Sequence, residues 1–365
     1  MKVVHLSDVH LGFGAHESAR GRSADVIRAF ETAMVRAAEL EPELVLIAGD
    51  LFDHPSVTPP PIAAFSKAAT DFHRRLPGVP IVIAAGSRDT PLDADSPGPL
   101  AVVGALDGVE VAVTRPRQIS LGGGALNLAV VPHRAVIGAR RLDLSPDPKA
   151  KWNVLVAYTG VARDAGHATP LDIRGWDYVA LGSEHTYRKV ADRVYYSGSL
   201  ERVDPDPWLE AASEKGFIVT DLKSGDVSFW PTRARAVISL APIEATGGGP
   251  ATVSRRLAEA LAGVPGGIEG KLVRIPIRGL SADDLAALDR EVIEPVRRRA
   301  AEVRIEALPG QGASHGLDGS AKRSGVGSGT DEVTVSGMLD LARRLVDDRR
   351  DLTTSMTSES KASGS

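Results

Sequence analysis

A carboxylate and an imidazole stand two residues apart near the start of the chain. Asp8 and His10 follow the mostly apolar run 3–6. A strand that ends there would carry both side chains on one side of the extended backbone. Carboxylate oxygens and imidazole nitrogens suit divalent transition metals. Because Asp-x-His arises by chance in many chains, the pair predicts a metal site only if further ligands follow other strands.

Further polar residues do follow later apolar runs. They are Gly49-Asp50, Gly86-Ser87-Arg88-Asp89, Tyr158 and Gly182-Ser183-Glu184-His185. The first three runs, 3–6, 44–48 and 81–85, alternate with segments of helical periodicity, which is typical of a layered α/β domain. Open α/β sheets hold their sites just beyond the strand ends. The sequence therefore predicts an α/β fold in which these residues meet.

Length and composition limit the class of protein. The chain has 365 residues, 43% hydrophobic and 25% charged, which is ordinary for a globular protein of two domains. It has no cysteine, which excludes disulfides and thiolate metal sites and fits a cytoplasmic location. We expect no membrane span and no signal peptide. The net charge of −4 gives no electrostatic argument for nucleic acid, so such a partner would need a local patch or a metal.

Changes in composition divide the chain into five parts. We expect a main domain over 1–235 and a small α/β domain over 236–308. Residues 309–332 are rich in glycine and serine and predict a flexible linker. Helical periodicity over 333–352 predicts either an isolated segment or a helix that docks on a partner. Residues 353–365 predict a polar, disordered tail.

The strand ends resemble those of a known family when they are taken together with the phrases at 46–53, 178–182, 198–202 and 214–217. This order resembles the calcineurin-like metallophosphoesterases, and within them the SbcD-type DNA-repair exonuclease subunits. The resemblance implies a four-layer α/β/β/α sandwich, a small α/β capping domain and a flexible C-terminal tail. It also implies DNA and an SbcC-like coiled-coil ATPase as partners. The sequence leaves open whether the chain forms a homodimer, and we expect no membrane partner.

The resemblance implies two metal ions, but only one ligand set is complete here. The positions of the first metal carry Asp8, His10, the bridging Asp50 and His185. The other positions of the second metal carry Ser87, Tyr158 and Ser183, none of which is a good replacement ligand. The position of the family's catalytic histidine carries Arg88. We therefore predict one divalent ion, Mn²⁺ first, with Fe or Zn as alternatives.

Arg88 and Tyr158 stand at the degenerate positions. An arginine brings a fixed positive charge and no acceptor, so we expect its guanidinium to pair with Asp50 and occupy the space of the second metal. Its role in catalysis would then be electrostatic at most. Tyr158 either places a phenol near a phosphate group or fills the vacated volume.

Two functions follow from this pattern. The first is a weakly active or inactive nuclease-like subunit that serves as a scaffold for DNA and an ATPase partner. The second is an active single-metal phosphodiesterase, a DNA exonuclease in which Arg88 stands in for the second metal. A small phosphoester remains a third class of substrate. The sequence alone leaves catalytic activity open.

Other polar residues have plainer interpretations. We expect His5 to be a packed core histidine, and Asp53 and Asp89 to fix their loops. Glu184 either faces solvent or reaches the site. Four further histidines in or near loops could supply a substitute ligand: His16, His54, His133 and His167.

Overall fold

The computed structural model describes residues 1–14, 21–91, 98–137, 139, 141–160, 171–245, 249–279, 288 and 293–309. All of these residues belong to one compact unit, Met1–Ala313. Within it the described residues form two six-stranded sheets and one four-stranded sheet. The predicted linker beyond Pro309, the predicted helix 333–352 and the predicted tail lie outside the described residues.

The first four strands form a parallel sheet with helices between them. They are β1 (Lys2–Leu6), β2 (Leu44–Ala48), β3 (Ile81–Ala84) and β4 (Val109–Ala112), paired in that order. The connecting helices are α1 (Arg22–Glu39), α2 (Pro59–Arg75) and α3 (Pro99–Val103). Three prolines open α2, where the first turn needs no backbone N–H donors. The apolar stripes of α1 and α2 pack on one face of this sheet.

A second sheet follows, and the chain then returns to the first. The second sheet comprises β5 (Arg117–Leu121), β6 (Leu126–Val131), β7 (Trp152–Tyr158), β8 (Tyr178–Gly182), β9 (Arg188–Ala191) and β10 (Val194–Tyr196), in the order β5-β6-β7-β8-β10-β9. The short helix α4 (His133–Val136) follows β6. On its return the chain forms β11 (Gly216–Asp221), antiparallel to β1, and β12 (Asp226–Pro231), antiparallel to β11. As a result, β1 has neighbours on both sides.

The two sheets face each other across a shared apolar core. Val3, Leu44, Leu46 and Val82 come from the first sheet, and Leu128, Val154, Val156 and Tyr178 come from the second. The helices cover the opposite face of the first sheet, so β1 and β2 are buried on both faces. Their nearly continuous apolar runs are the pattern that such strands require.

The outer face of the second sheet is covered mainly by irregular chain. Leu155, Val179 and Leu181 pack there against Leu171 and Trp176. Among the described residues, the regular structure in this fourth layer is α4. The predicted α/β/β/α sandwich is confirmed as a fold class, with a thin outer layer in the part of the chain that the structure covers.

The third sheet has a core of its own. It comprises β13 (Val237–Ser239), β14 (Ile243–Glu244), β15 (Leu272–Arg278) and β16 (Glu302–Leu308), with β15 paired to all the others in parallel. Two helices accompany it, α5 (Gly249–Ala262) and α6 (Glu294–Arg299). Its buried residues include Val253, Leu257, Ile275, Leu288 and Ile293. We call this region, residues 236–308, the cap; its boundary with residues 1–235 stays a prediction.

No helix among the described residues combines the length and the apolar character needed to cross a membrane.

Candidate metal centre

The site lies where β1 and β2 leave the first sheet. The backbone N–H groups of Asp8 and His10 donate to the carbonyl oxygens of Gly49 and Asp50, at 3.1 and 2.9 Å, so the two loops are joined. Asp8, His10 and Asp50 have φ values of 49°, 55° and 44°. A residue other than glycine in this region costs roughly 1–3 kcal/mol, and such strain is concentrated at functional sites. The surrounding structure therefore holds these three residues in place against their local preference.

Three of the four predicted ligands of the first metal converge. One ligand atom from each of Asp8, His10 and His185 lies within 4.8 Å of the others. Asp50 lies outside this group, although its Oδ2 is 3.9 Å from His10 Nε2. His10 is 2% exposed, and its Nε2 is buried without a hydrogen-bond partner in the part of the chain that the structure describes. A buried, unpaired imidazole nitrogen facing a carboxylate and a second imidazole fits a metal ligand, because such an atom is otherwise costly to bury.

Two carboxylates orient the imidazoles of this group from outside. His10 Nδ1 lies 2.9 Å from Asp53 Oδ1, and His185 Nδ1 lies 2.8 Å from Glu210 Oε1. With Nδ1 as donor, each ring keeps Nε2 free for a metal, which is the usual arrangement of metal-bound histidine. The Asp53 side chain thus bonds to the ring of His10, whereas the sequence predicted that it fixes its own loop. Glu210 was missed, because it stands in irregular chain with no motif around it.

The electrostatics of the group favour a cation. Asp8 is fully buried, and this burial raises the pKa of its carboxyl group, with a further contribution from Asp50; His185 and His10 oppose the shift. Burial disfavours the charged form of His185, but its bond to Glu210 and the charge of Asp8 prevail and raise its pKa. A divalent ion would supply the positive charge that these buried carboxylates lack.

The three residues predicted at the positions of the second metal carry hydroxyl groups, two of which bond to each other and to Asp50. The Tyr158 hydroxyl donates to Asp50 Oδ2 at 2.7 Å. The Ser87 hydroxyl lies 3.0 Å from the Tyr158 hydroxyl and 3.4 Å from Asp50 Oδ2. Burial, together with the charges of Asp50 and Asp8, raises the pKa of Tyr158 far above its usual value, so the phenol stays protonated. Ser183 contributes its backbone N–H, 3.2 Å from each carboxylate oxygen of Asp8.

Gly49 makes room for the Tyr158 ring. A Cβ atom at Gly49 would lie 1.9 Å from Tyr158 Cδ2, and the φ of this residue is 89°. The ring of His133 packs edge to face on Tyr158, with 5.3 Å between the ring centroids. Of the two interpretations of Tyr158, filling the vacated volume describes this packing. The bond to Asp50 is an addition that the sequence did not predict.

The expected pair between the Arg88 guanidinium and Asp50 does not form, so that prediction was wrong. The backbone N–H of Arg88 donates to Asp50 Oδ1 at 2.7 Å instead, and the Arg88 side chain is exposed. The reason is the tight turn after β3, which directs the amide of Arg88 at the carboxylate while Tyr158 takes the opposite oxygen. The Tyr158 phenol, rather than the Arg88 guanidinium, bonds to Asp50.

Two of the plainer interpretations agree with the structure. His5 is fully buried, with Nδ1 3.0 Å from the Tyr178 hydroxyl and Nε2 3.2 Å from the Leu181 carbonyl oxygen. Asp89 accepts backbone N–H bonds from Gly86 and Leu51, at 2.7 and 2.8 Å, and so fixes two loops. Burial, with the charge of Asp50, raises the pKa of Asp89 to about 8.

Three of the remaining candidates lie among the described residues, and these three do not join the site. Glu184 forms an ion pair with Arg188. His54 is exposed and its Nδ1 accepts the backbone N–H of Ser56 at 3.0 Å. His133 packs on Tyr158 and lies outside the metal-ligand group. His16 and His167 lie outside the described residues.

Comparison with known proteins identifies the family. Residues 1–187 match the model of the calcineurin-like phosphoesterases. The DNA double-strand break repair protein Mre11 of Aeropyrum pernix is 33% identical over 51% of this chain and 49% of its own length. Mre11 of Methanocaldococcus jannaschii is 25% identical over 62% of this chain and 64% of its own length. The chain thus spans about half to two thirds of these curated relatives.

A solved structure is also similar, though only distantly. The protein TT1561 of Thermus thermophilus aligns with 64% of this chain and 99% of its own, at 11% identity and a TM-score of 0.38, a similarity too low to carry an inference. The family model covers more than half of the chain, including both loops that carry Asp8, His10 and Asp50. This chain belongs to the calcineurin-like phosphoesterases.

Proposed function

We propose that this chain is an SbcD-type DNA-repair subunit that holds one divalent ion and acts mainly as a scaffold for DNA and for an SbcC-like ATPase, with weak or no nuclease activity. The observation that carries the proposal is the hydrogen bond from Tyr158 to Asp50 Oδ2 beside the converging Asp8, His10 and His185. The first ligand group keeps an unpaired imidazole nitrogen. The bridging carboxylate is already bonded to protein donors on both oxygens.

The proposed loss of activity follows from what the second half of the site lacks. A general acid contributes about 10²–10⁴ in rate, and an arginine cannot give up its proton at neutral pH. Arg88 stands at the position of the family's acid, with its amide turned to Asp50. Neither Ser87 nor Tyr158 carries a side-chain nitrogen that could complete a second ligand set.

The residues around the first group determine how an ion would be held. Asp53 and Glu210 fix the two imidazole rings, and Ser183 donates its backbone N–H to Asp8. Two nitrogens and one carboxylate suit Mn²⁺, with Fe or Zn as alternatives. When bound, such an ion lowers the pKa of a coordinated water and polarises a phosphate group.

The partners in this proposal rest on resemblance. The curated relatives are named as DNA double-strand break repair proteins, and the chain spans only part of them. The helix predicted over 333–352 is our candidate for contact with the ATPase. A homodimer and a cytoplasmic location belong to the same proposal.

An alternative function is favoured by the exposed side chain of Arg88. Its guanidinium makes no ion pair with a described carboxylate, and its backbone is anchored 2.7 Å from Asp50 Oδ1. A phosphodiester bound at the ion would therefore meet a positive charge at the rim of the site. In this alternative the chain is an active single-metal phosphodiesterase.

Calorimetry with Mn²⁺ and a nuclease assay test both functions on the full chain. The scaffold proposal expects one ion per chain, DNA binding, and cleavage that is at or only slightly above that of the Asp50→Ala variant and does not fall in Arg88→Met. The alternative expects cleavage that requires Asp50 and falls at least tenfold in Arg88→Met. Arg75→Met, at an exposed position in the last turn of α2, is the matched control. A chain that binds neither Mn²⁺ nor DNA contradicts both, and cleavage of a small phosphodiester without DNA binding assigns the small-substrate class.

A further inference from the structure

The cap and the metal centre meet on one short stretch of chain, residues 204–210, which we call the docking turn. Its backbone is closed by successive bonds, from Leu209 N–H to the Asp206 carbonyl oxygen at 3.0 Å and from Glu210 N–H to that of Pro207 at 3.3 Å. These overlapping bonds join Trp208 and Glu210 within one backbone turn. We therefore expect a displacement of Trp208 to shift Glu210.

One end of the docking turn holds a candidate metal ligand. Glu210 Oε1 accepts from His185 Nδ1 at 2.8 Å, and Lys215 Nζ lies 3.2 Å from the same oxygen. Its Oε2 accepts the backbone N–H of Val203 at 3.0 Å. Glu210 is 5% exposed, so water cannot readily replace it. This carboxylate fixes the ring of His185 with Nδ1 protonated and Nε2 free.

The other end of the docking turn is held by the cap. The indole N–H of Trp208 donates to the carbonyl oxygen of Ile238 in β13 at 2.9 Å. The Arg304 guanidinium, from β16, lies 4.5 Å from the Trp208 ring centroid. Arg304 also lies 3.3 Å from Asp206 and donates to the Pro205 carbonyl oxygen at 3.2 Å. Trp208 itself is 7% exposed.

We propose that Glu210 is a positioning residue for His185 and that the cap, through its contacts with Trp208, determines the position of Glu210. The cap is then part of the metal centre although it supplies no ligand to the described group. Any movement of the cap that releases Trp208 frees His185 to rotate or to change tautomer. Loss of an outer carboxylate of this kind typically weakens metal binding 10–100-fold. The metal part of this inference rests on the proposed function.

Two measurements on the full chain test the inference. Calorimetry gives the Mn²⁺ affinity, and ¹⁵N NMR of the histidine rings in metal-free protein gives the tautomer of His185. We expect Glu210→Gln to weaken Mn²⁺ binding 10–100-fold and to reduce the population with Nδ1 protonated. We expect Trp208→Leu and Arg304→Met to shift both readouts in the same direction, with an affinity loss of about threefold or more. Leu209→Ala, on the same turn and 76% exposed, is the control and should change neither.

The outcomes separate this inference from the proposed function. Unchanged affinity and unchanged tautomer in folded Arg304→Met, with Glu210→Gln impaired, would overturn the role of the cap. If Glu210→Gln also changes neither readout, the positioning role is wrong as well. If the unsubstituted chain binds no Mn²⁺, the metal proposal fails, and the NMR readout alone decides whether the cap sets the state of His185.

Discussion

The two halves of the centre differ in how their polar atoms are satisfied. Around Asp8, His10 and His185, each imidazole is held from outside by a carboxylate, and His10 Nε2 has no hydrogen-bond partner among the described residues. Around Ser87 and Tyr158, each side-chain hydroxyl already bonds to a neighbour. A buried atom without a partner indicates a missing ligand, whereas a closed cluster does not. On the proposed function, the first group takes an ion and is called the ready half, and the second group does not and is called the filled half.

The largest effect is expected from removing a ligand of the ready half. Asp8→Ala should weaken Mn²⁺ binding at least 100-fold, because the converging group then loses its one carboxylate and keeps only two imidazoles. Calorimetry on the full chain measures the loss. His54→Ala is the control, since His54 is exposed and bonds only within its own turn. Equal affinity in Asp8→Ala and the unsubstituted chain would place the ion elsewhere.

The next effect is a gain in the filled half. A variant with Ser87→Asn, Arg88→His, Tyr158→His and Ser183→His restores the nitrogen and oxygen donors that the family resemblance implies. We expect it to bind two Mn²⁺ ions where the unsubstituted chain binds one. The triple variant that retains Tyr158 is the control and should bind one, because the phenol keeps Asp50 Oδ2 occupied. If the triple variant binds two ions, Tyr158 does not exclude the second Mn²⁺ ion.

His5 lies outside the metal-ligand group and serves as a comparison, because both of its ring nitrogens have hydrogen-bond partners. Burial lowers the pKa of His5 from 6.5 to about 3. The unfolded chain binds a proton at His5 at a higher pH than the folded chain does. The contribution of His5 to the free energy of unfolding is therefore fully present above pH 6.5 and is lost as the pH falls towards 3. From pH 6.5 to 4 the loss is about 3 kcal/mol, at roughly 1.4 kcal/mol per pH unit.

Urea unfolding at several pH values should show this slope, and His5→Gln should flatten it. An unchanged slope in His5→Gln would mean that other groups dominate acid unfolding. Added Mn²⁺ should not alter the contribution of His5, because both of its ring nitrogens already have protein partners.

The smallest effect is expected from the Tyr158 hydroxyl. Tyr158→Phe removes a buried donor to Asp50 and should lower the free energy of unfolding by about 1–2 kcal/mol in metal-free protein. Urea unfolding measures this change. Tyr187→Phe is the control, since Tyr187 is 36% exposed. A more stable Tyr158→Phe variant would mean that the phenol strains the site.

Much of the fold could be predicted because its signals are local. Residues 44–48 and 81–85 are continuous apolar runs, and both contain strands buried on both faces. Asp8, His10 and His185 could be predicted because they stand at strand ends, where topology alone brings them together.

The remaining features of the site could not be predicted, because the sequence pattern does not specify how individual backbone and side-chain groups are oriented. The sequence places Arg88 beside Asp50 but does not show that its amide, rather than its guanidinium, turns inwards. Glu210 lies 25 residues from His185 along the chain, in a turn without periodicity. The only available signal was the general need of a ligating histidine for an acceptor.

The return of the chain to β1 has a consequence for biosynthesis. One edge of β1 stays open until β11, Gly216–Asp221, pairs with it. Asp8 and His10 therefore emerge from the ribosome about 200 residues before their strand is enclosed, and His185 and Glu210 arrive in between. An open strand edge invites pairing with other chains. Translation that stops before β11 would leave a fragment that contains every predicted ligand but exposes one edge of β1, the strand that leads into the first two.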